Sequence, residues 1–369
     1  MKETIASNLK HYREGQHFSQ ESLAQKVGIS CQNLNEYENA ITLANSKILS
    51  ALARALGITL DDLLLAKSQN KTSFRFRSHA SFAKDKQPQL LTQVLRMLET
   101  YNLLEKAVGI PPYAPETTSC HQIEGNEKHI QTTATRFRRS LGLGEGKIYN
   151  LFEAVEAVGL KVLCTPIPIK NFFGLSACSS AEGAFVLVNT HNITIERQIF
   201  TLAHEIGHLI FHRDDYQDTL LEEGTKEEEK MRETVANYFA GNLLVPDLEL
   251  ERLYDQNYDI IPLKEYFRVS YQVILKRLDQ MQFIDYSQKI KKIKAIYKRK
   301  NNGVPLNNST ELPPTLKEEE FPENQRYKKL IWQSLDLGKI SELKAAELLQ
   351  ITVEELGLRR QEAEVYAIR

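Results

Sequence analysis

The segment Thr201-Leu-Ala-His204-Glu205-Ile-Gly-His208-Leu-Ile-Phe-His212 constrains this chain more than any other stretch. Histidines four apart lie one turn apart on the same helix face, so both rings can reach one tetrahedral metal ion. Glu205 stands beside that pair and can take a proton from a metal-activated water. Ile199, Phe200, Leu202, Ala203, Ile206, Leu209, Ile210 and Phe211 fill the other positions. The pattern predicts a buried helix from about Thr194 to Phe211, with its polar groups turned into a cleft. The bland alternative is ordinary histidines on a solvated helix. A buried His-Glu-His set without partners would be costly, which favours a metal.

Two histidines need a third protein ligand, with the fourth position left open for water. His212 lies about 12 Å beyond His204 along a continuous helix. No glycine between His208 and His212 permits a break. That assigns His212 to packing or to support behind the ligands. Glu233 is the better third ligand. It opens Glu233-Thr-Val-Ala-Asn237-Tyr-Phe-Ala240 on a predicted helix from Lys226 to Leu244, closed by Pro246. Met231, Val235, Ala236, Phe239 and Leu243 give that helix its inward side. Asn237, on the same face as Glu233, can hydrogen-bond a ligand histidine and fix its orientation. Glu227, Glu228 and Glu229 read as solvated. The expected cofactor is one Zn2+, with Glu205 as general base; Tyr238 and His212 are candidate oxyanion donors.

His204-Glu-Ile-Gly-His208, Glu233-x-x-Ala-Asn-x-Phe-Ala240 and Leu243-Leu-Val-Pro246 resemble the ImmA/IrrE family of zinc metallopeptidases. Phe200-Thr-Leu and Asn171-Phe-Phe-Gly-Leu-Ser176 fit the same pattern, and the resemblance runs from about Gln131 to Leu278. It implies His204, His208 and Glu233 as ligands and Glu205 as base. It also implies site-specific cleavage of Xre-type repressors, derepressing stress or mobile-element genes.

The first 65 residues read as five short helices. Ser19 and Ser30 are N-caps, Asn45 or Ser46 opens a further helix, Gly28 and Gly57 supply turns, and Thr59-x-x-Asp62 is a capping box. Phe18-Ser-Gln-Glu-Ser-Leu-Ala-Gln-Lys-Val-Gly-Ile-Ser30 and Leu52-Ala-Arg-Ala-Leu-Gly-Ile-Thr-Leu-Asp-Asp-Leu-Leu64 resemble the Xre/Cro-type repressor domain. The resemblance implies that Gln32 and Asn33 face base edges in the major groove. One departure matters: Gly28 to Ser46 holds no Lys or Arg, while Glu36 and Glu38 are present. Phosphate contacts would fall to Lys10, Arg13, Lys26 and Lys47. A module for dimerisation or for docking a protein partner is the alternative.

Between these landmarks the expected fold is mainly α with a small β-sheet. An all-α helix-turn-helix domain spans 1–66, a basic linker 67–88, and a zincin-like α+β metallopeptidase domain 89–250. A helical extension covers 251–300, a second linker 301–324, and a small helical unit 325–369. Helices are predicted over 89–104, 127–141 and 150–158. Lys161 to Pro168 reads as an edge strand, and 174–179 with 184–189 as a hairpin. Such a sheet can bind an extended peptide as an added strand. Arg213 to Gly224 reads as an acidic loop at the cleft mouth. Ser270 caps an amphipathic helix. Lys289 to Lys300 carries seven basic residues and no acidic one. It could grip DNA phosphates or an acidic partner, though a solvated face is the commoner explanation.

A net charge of −1 over 369 residues excludes a global polyelectrolyte argument for nucleic acid. Four cysteines without paired spacing suit free thiols in a reducing compartment. No signal peptide or membrane span is visible, so the expected protein is soluble and cytoplasmic. The reading is a zinc endopeptidase fused to a double-stranded DNA-binding module, with a repressor protein as substrate and a homodimer as one expected assembly. The alternative is a non-proteolytic, antitoxin-like regulator that neutralises a partner toxin.

Overall fold

The computed structural model describes residues 2–15, 18–58, 60–64, 75–78, 87–213, 226–307, 309–321 and 323–367. The chain divides into two compact units: Met1–Ser73 with Ala83–Val94, and Phe74–Phe82 with Leu95–Arg369.

The first unit is built from α1 (Lys2–Gly15), α2 (Gln20–Val27), α3 (Cys31–Glu38), α4 (Ser46–Ala55) and α5 (Leu60–Leu64). Its boundaries follow local chemistry. The hydroxyls of Ser19 and Ser30 and the Asn45 amide oxygen accept the orphan N–H groups of Ser22, Asn33 and Ile48. Gly28 ends α2 in the left-handed region at φ 77°. Leu9, Leu23, Leu34, Leu52 and Leu63 form the fully buried centre. The capping box expected at Thr59 and Asp62 lies outside the described residues.

In the second unit, β1 (Arg75–Ser78) precedes α6 (Gln87–Val108), whose first residues belong to the first unit. Then follow α7 (Glu127–Ser140), α8 (Leu151–Ala157), β2 (Lys161–Thr165), β3 (Gly174–Ser179) and β4 (Gly183–Asn189). The sheet order is β1-β3-β4-β2, with β2 parallel to β4 and the other pairs antiparallel. The central strands β3 and β4 are buried at every position, and β4 reads as an apolar run from Ala184 to Val188. β2 is the expected edge. Its outer side is closed by Asn324, whose Oδ1 accepts the Cys164 N–H at 2.7 Å and whose Nδ2 donates to the Cys164 carbonyl at 2.9 Å.

On this sheet packs α9 (Ile195–Phe211), buried at almost every position, with α10 (Lys226–Leu244) across it. The chain continues through α11 (Asp247–Asp255), α12 (Ile260–Phe267), α13 (Tyr271–Gln280, capped by Ser270) and α14 (Tyr286–Lys300). After a 3-10 turn at Glu318–Glu320 come α15 (Gln325–Asp336), α16 (Glu342–Leu349) and α17 (Val353–Ala367). The fold is therefore mainly α with one small sheet, as the sequence predicts. Among the described residues no helix is long and apolar enough to cross a membrane.

Three stretches differ from expectation. Arg75–Ser78, inside the stretch read as a linker at 67–88, pairs with β3 as an edge strand, with Arg77 opposite Ser176. Residues 301–324 are not a free linker: Leu306 and Phe321 are buried, and Leu312 and Leu316 pack on the core. The buried Lys264 ammonium holds that strap, bonding the carbonyls of Leu312 and Pro314 and pairing with Glu311 at 3.0 Å. A buried cation needs such partners, which main-chain oxygens supply without a sequence signature. Finally, α15 packs against β2 and α8, continuing the peptidase-side unit instead of starting a separate one. Residues 214–225, which include most of the expected acidic loop, lie outside the described residues.

Candidate functional site

Helix α9 carries its polar side chains in a helix that is apolar elsewhere, so each must find a partner within the fold. His204 and His208, one turn apart, turn their Nε2 atoms to the same point, 3.0 Å from each other. Glu233 on α10 closes the triangle, with Oε2 3.5 Å from His204 Nε2 and Oε1 3.3 Å from His208 Nε2. His204, His208 and Glu233 are the group among the described residues able to hold a metal ion.

The approach of α10 to α9 depends on Gly207. A Cβ there would stand 3.1 Å from Phe239 Cδ1 and 3.2 Å from Ala236 Cα. With no side chain at Gly207 and only a methyl at Ala236, the helices close enough for a carboxylate on one to reach imidazoles on the other. Val235, Ala236, Phe239 and Leu243 are buried as expected, whereas Met231 is 39% exposed and lies off the buried stripe.

The opposite ring nitrogens fix the tautomers, assigned from the hydrogen-bond network. His204 Nδ1–H donates to Asn237 Oδ1 at 2.9 Å. His212 Nε2–H donates to the Cys120 carbonyl at 2.9 Å, which leaves its Nδ1 as an acceptor for His208 Nδ1–H, also at 2.9 Å. Both relays leave a lone pair on each Nε2, aimed at the same point beside a carboxylate. Such groups repel unless a cation lies between them. The spacing fits one: a tetrahedral ion about 2.0–2.1 Å from each donor has ligand–ligand edges of about 3.3 Å. Two imidazoles and a carboxylate are a borderline donor set suited to zinc.

His212 is the residue after the last turn of α9, at φ −128°. Its ring contacts His208, not the convergence point. The loop carrying Cys120 is tied to the same helix end by Thr118 N–H to the Ile210 carbonyl at 2.9 Å.

Glu205 is fully buried, and its Oε2 accepts the Ser176 hydroxyl at 2.7 Å. Ser176 lies two residues beyond Gly174 on β3, so both face α9. A Cβ at Gly174 would collide with Thr201 and the Leu187 carbonyl and approach Glu205 Cγ at 3.7 Å. Sequence reasoning gave Ser176 no role. The signal was a glycine and a serine alternating on one face of an apolar strand. Tyr238, a candidate oxyanion donor, has its hydroxyl 3.1 Å from the Gln131 amide on α7, and that amide also reaches Asp247 at 3.1 Å. Burial pushes the Tyr238 phenol upward. This bond ties α7 to α10.

In the first unit, Gln32 and Asn33 are exposed at the start of α3, and Lys47 is exposed at the start of α4. Gln32 lies 3.4 Å from Glu36 across one turn. Arg13 is not a surface cation. It forms a buried bidentate pair with Glu38, Nε to Oε1 at 2.6 Å and Nη2 to Oε2 at 2.9 Å. Lys26 bonds the Ala55 carbonyl at 3.0 Å and stacks over Phe18. Of the four expected phosphate contacts, Lys10 and Lys47 have no such partner among the described residues.

Residues 155–279 match the M78 peptidase family, the IrrE N-terminal-like domain, and residues 9–63 match the helix-turn-helix family. No curated protein matches the chain. A Mycobacterium tuberculosis transcriptional regulator is 18% identical, over 49% of this chain and 50% of its own, with a TM-score of 0.31. Apo ComR from S. thermophilus is 17% identical over 95% of this chain and all of its own, with a TM-score of 0.17. ComR of Streptococcus vestibularis, also in its apo form, is 13% identical over 90% and 92%, with the same score. This chain thus spans about half the length of the mycobacterial regulator. These structural likenesses are slight, and the two family matches carry the assignment: a DNA-binding kind of domain followed by a metallopeptidase kind.

Proposed function

We propose that this chain, a helix-turn-helix domain joined to an IrrE N-terminal-like domain, is a zinc-dependent endopeptidase that regulates transcription by cleaving a repressor protein. The observation that carries the reading is the meeting of His204 Nε2, His208 Nε2 and the Glu233 carboxylate within 4.8 Å, with Glu205 on the intervening turn. His204, His208 and Glu233 would hold the ion, which would supply Lewis acidity to a scissile carbonyl and to a water beside it.

The chain's own residues do the rest. Glu205 takes the proton from the attacking water and returns it to the leaving amine. Ser176 donates to one carboxylate oxygen and so fixes the plane of that base. Asn237 and the His212–Cys120 relay hold the two imidazoles with their lone pairs inward. An extended substrate adds on the β1 side of the sheet, because Asn324 closes the β2 edge. Gln32, Asn33 and Lys47 are the proposed DNA contacts of the first unit.

The test joins metal analysis with proteolysis. The purified chain is expected to hold one zinc per molecule, and Glu233→Ala to lose it. Glu205→Gln keeps the metal and loses cleavage of a co-encoded repressor by about 10²–10⁴-fold. Equal regulation of the operon by wild type and Glu205→Gln would overturn proteolysis and favour the antitoxin-like alternative.

A further inference from the structure

We propose that the outward face of α14 is a second nucleic-acid contact, binding the phosphate backbone of duplex DNA from the peptidase-side unit. The helix is anchored by Tyr286, Ile290, Ile293 and Tyr297, which pack on the core at heptad spacing. That seam fixes which side faces solvent. At 100° per residue, Lys291, Lys294 and Lys298 form one row and Lys292 and Arg299 a second beside it, over about 12 Å of helix. All five are exposed, and none forms an ion pair among the described residues. Lys289, on the flank, is the one basic residue of α14 with an acidic partner there, Asp259 at 3.4 Å.

Duplex DNA is the occupant that this chemistry fits. It presents a charge about every 1.7 Å of axis, so a 12 Å cationic face meets several phosphates at once. A protein interface is enriched in aromatic and arginine anchors and depleted in lysine. This face is mostly lysine and has no aromatic residue, and Ile296 at 45% exposure is its largest apolar group. The first unit also needs the help, which links this inference to the DNA reading of that unit. Its Arg13 is consumed by Glu38, its Lys26 by Phe18 and the Ala55 carbonyl, and α3 has no basic residue. That leaves Lys10 and Lys47 of the four expected contacts, and the exposed cations of α14 add five more.

The experiment measures the affinity of the full chain for a 30-base-pair duplex of arbitrary sequence by fluorescence anisotropy across salt concentrations. The comparison is Lys291→Ala/Lys294→Ala/Lys298→Ala. Alanine preserves helix propensity and leaves the apolar seam intact, and an unchanged thermal transition confirms folding. Each lost phosphate contact lowers the salt slope by about 0.9, so the triple variant loses about 2.7. Between 50 and 200 mM salt the wild-type affinity then falls about 40-fold more than that of the variant. An unchanged slope overturns the proposal, as does a chain with no affinity for the duplex at low salt. Loss of affinity for single-stranded RNA or an acidic polypeptide, with duplex binding intact, also overturns it. Lys47→Ala separates the two units: if it alone weakens duplex binding, the helix-turn-helix reading stands and the α14 reading falls. If only the triple variant does, the reverse holds.

Discussion

Replacing His212 by Phe isolates the relay behind the metal centre. Phenylalanine keeps the ring volume in a site where His212 is 1% and His208 0% exposed, so packing changes little. What disappears is a pair of hydrogen bonds, both 2.9 Å: His208 Nδ1–H to His212 Nδ1, and His212 Nε2–H to the Cys120 carbonyl. Two buried groups then lose their partners. Each such loss costs about 1–3 kcal/mol, so the metal-free protein is expected to unfold about 2–6 kcal/mol more easily. The metal suffers separately. Without an acceptor at Nδ1, His208 is free to place its proton on Nε2, where the ligand lone pair should be. Loss of such a support typically lowers metal affinity by about 10–100-fold, equivalent to about 1.4–2.7 kcal/mol.

The assay is a zinc titration against a chromophoric chelator, paired with urea unfolding in excess chelator. The two readouts separate orientation from packing. If His212 acts only by filling space, His212→Phe leaves zinc affinity within about threefold of wild type and the relay argument fails. Asn237→Leu is the matched control on the other imidazole, where a single 2.9 Å bond is removed. It is expected to weaken zinc binding over the same range.

Other outcomes follow from the same structure. Gly207→Val forces branched carbon against Phe239 and the Ala236 backbone; by overpacking it should destabilise the fold by about 1–3 kcal/mol or more and weaken zinc binding as α10 is pushed away, read by urea unfolding and chelator competition. Ser176→Ala keeps zinc but lowers kcat more than it changes KM, because it frees the Glu205 carboxylate to rotate; an unchanged kcat would remove Ser176 from the mechanism. Burial pushes the Glu156 carboxyl up from 4.5 to about 7, against the opposing Arg326. The folded state thus favours the protonated acid, and its stabilisation is complete below about pH 4.5 and is lost as pH rises through 7. Glu156→Gln, which can still accept the Arg326 N–H, is expected to be more stable than wild type at pH 8 by up to about 3 kcal/mol, with the difference vanishing near pH 4 in chemical denaturation.

Periodic features were legible before any coordinates. The 3.6-residue apolar spacing located α9 and α10 to within a residue, and Ser19, Ser30 and Ser270 marked helix starts because a short side-chain oxygen satisfies orphan N–H groups. The hairpin of β3 and β4 followed from the apolar run of β4, the small-residue strand before it and the turn between them. What escaped had no periodic signature. The strap from 301 to 324 has the Pro, Asn and Glu content of a linker, and its anchors Leu306, Leu312, Leu316 and Phe321 recur at no fixed interval. Arg13 read as a phosphate contact because its partner Glu38 is 25 positions away on another helix. The Cys120 carbonyl is a main-chain group, and no residue type announces one.

These escapes share a cause that also explains how the site is built. A helix buried as fully as α9 can carry charge only if the rest of the fold supplies counterparts, and most of its polar residues draw on groups outside the helix. Glu196 takes the Leu316 N–H from the strap at 2.8 Å. Gln198 donates to the Ile193 carbonyl just before the helix, and Glu205 takes the hydroxyl of β3. His204 leans on α10, and His208, through His212, on the loop at Cys120. The partners of one 17-residue helix thus span positions 120 to 316. Packing α9 and orienting the imidazoles are then one process: the partners that make burial of the polar groups tolerable also aim the Nε2 lone pairs. The fold itself orients the imidazoles, so binding of an ion at this candidate site need not order them. The cost of breaking any one partner should appear in apo stability as well as in metal affinity, whereas a ligand set on a flexible surface loop would show it in affinity alone.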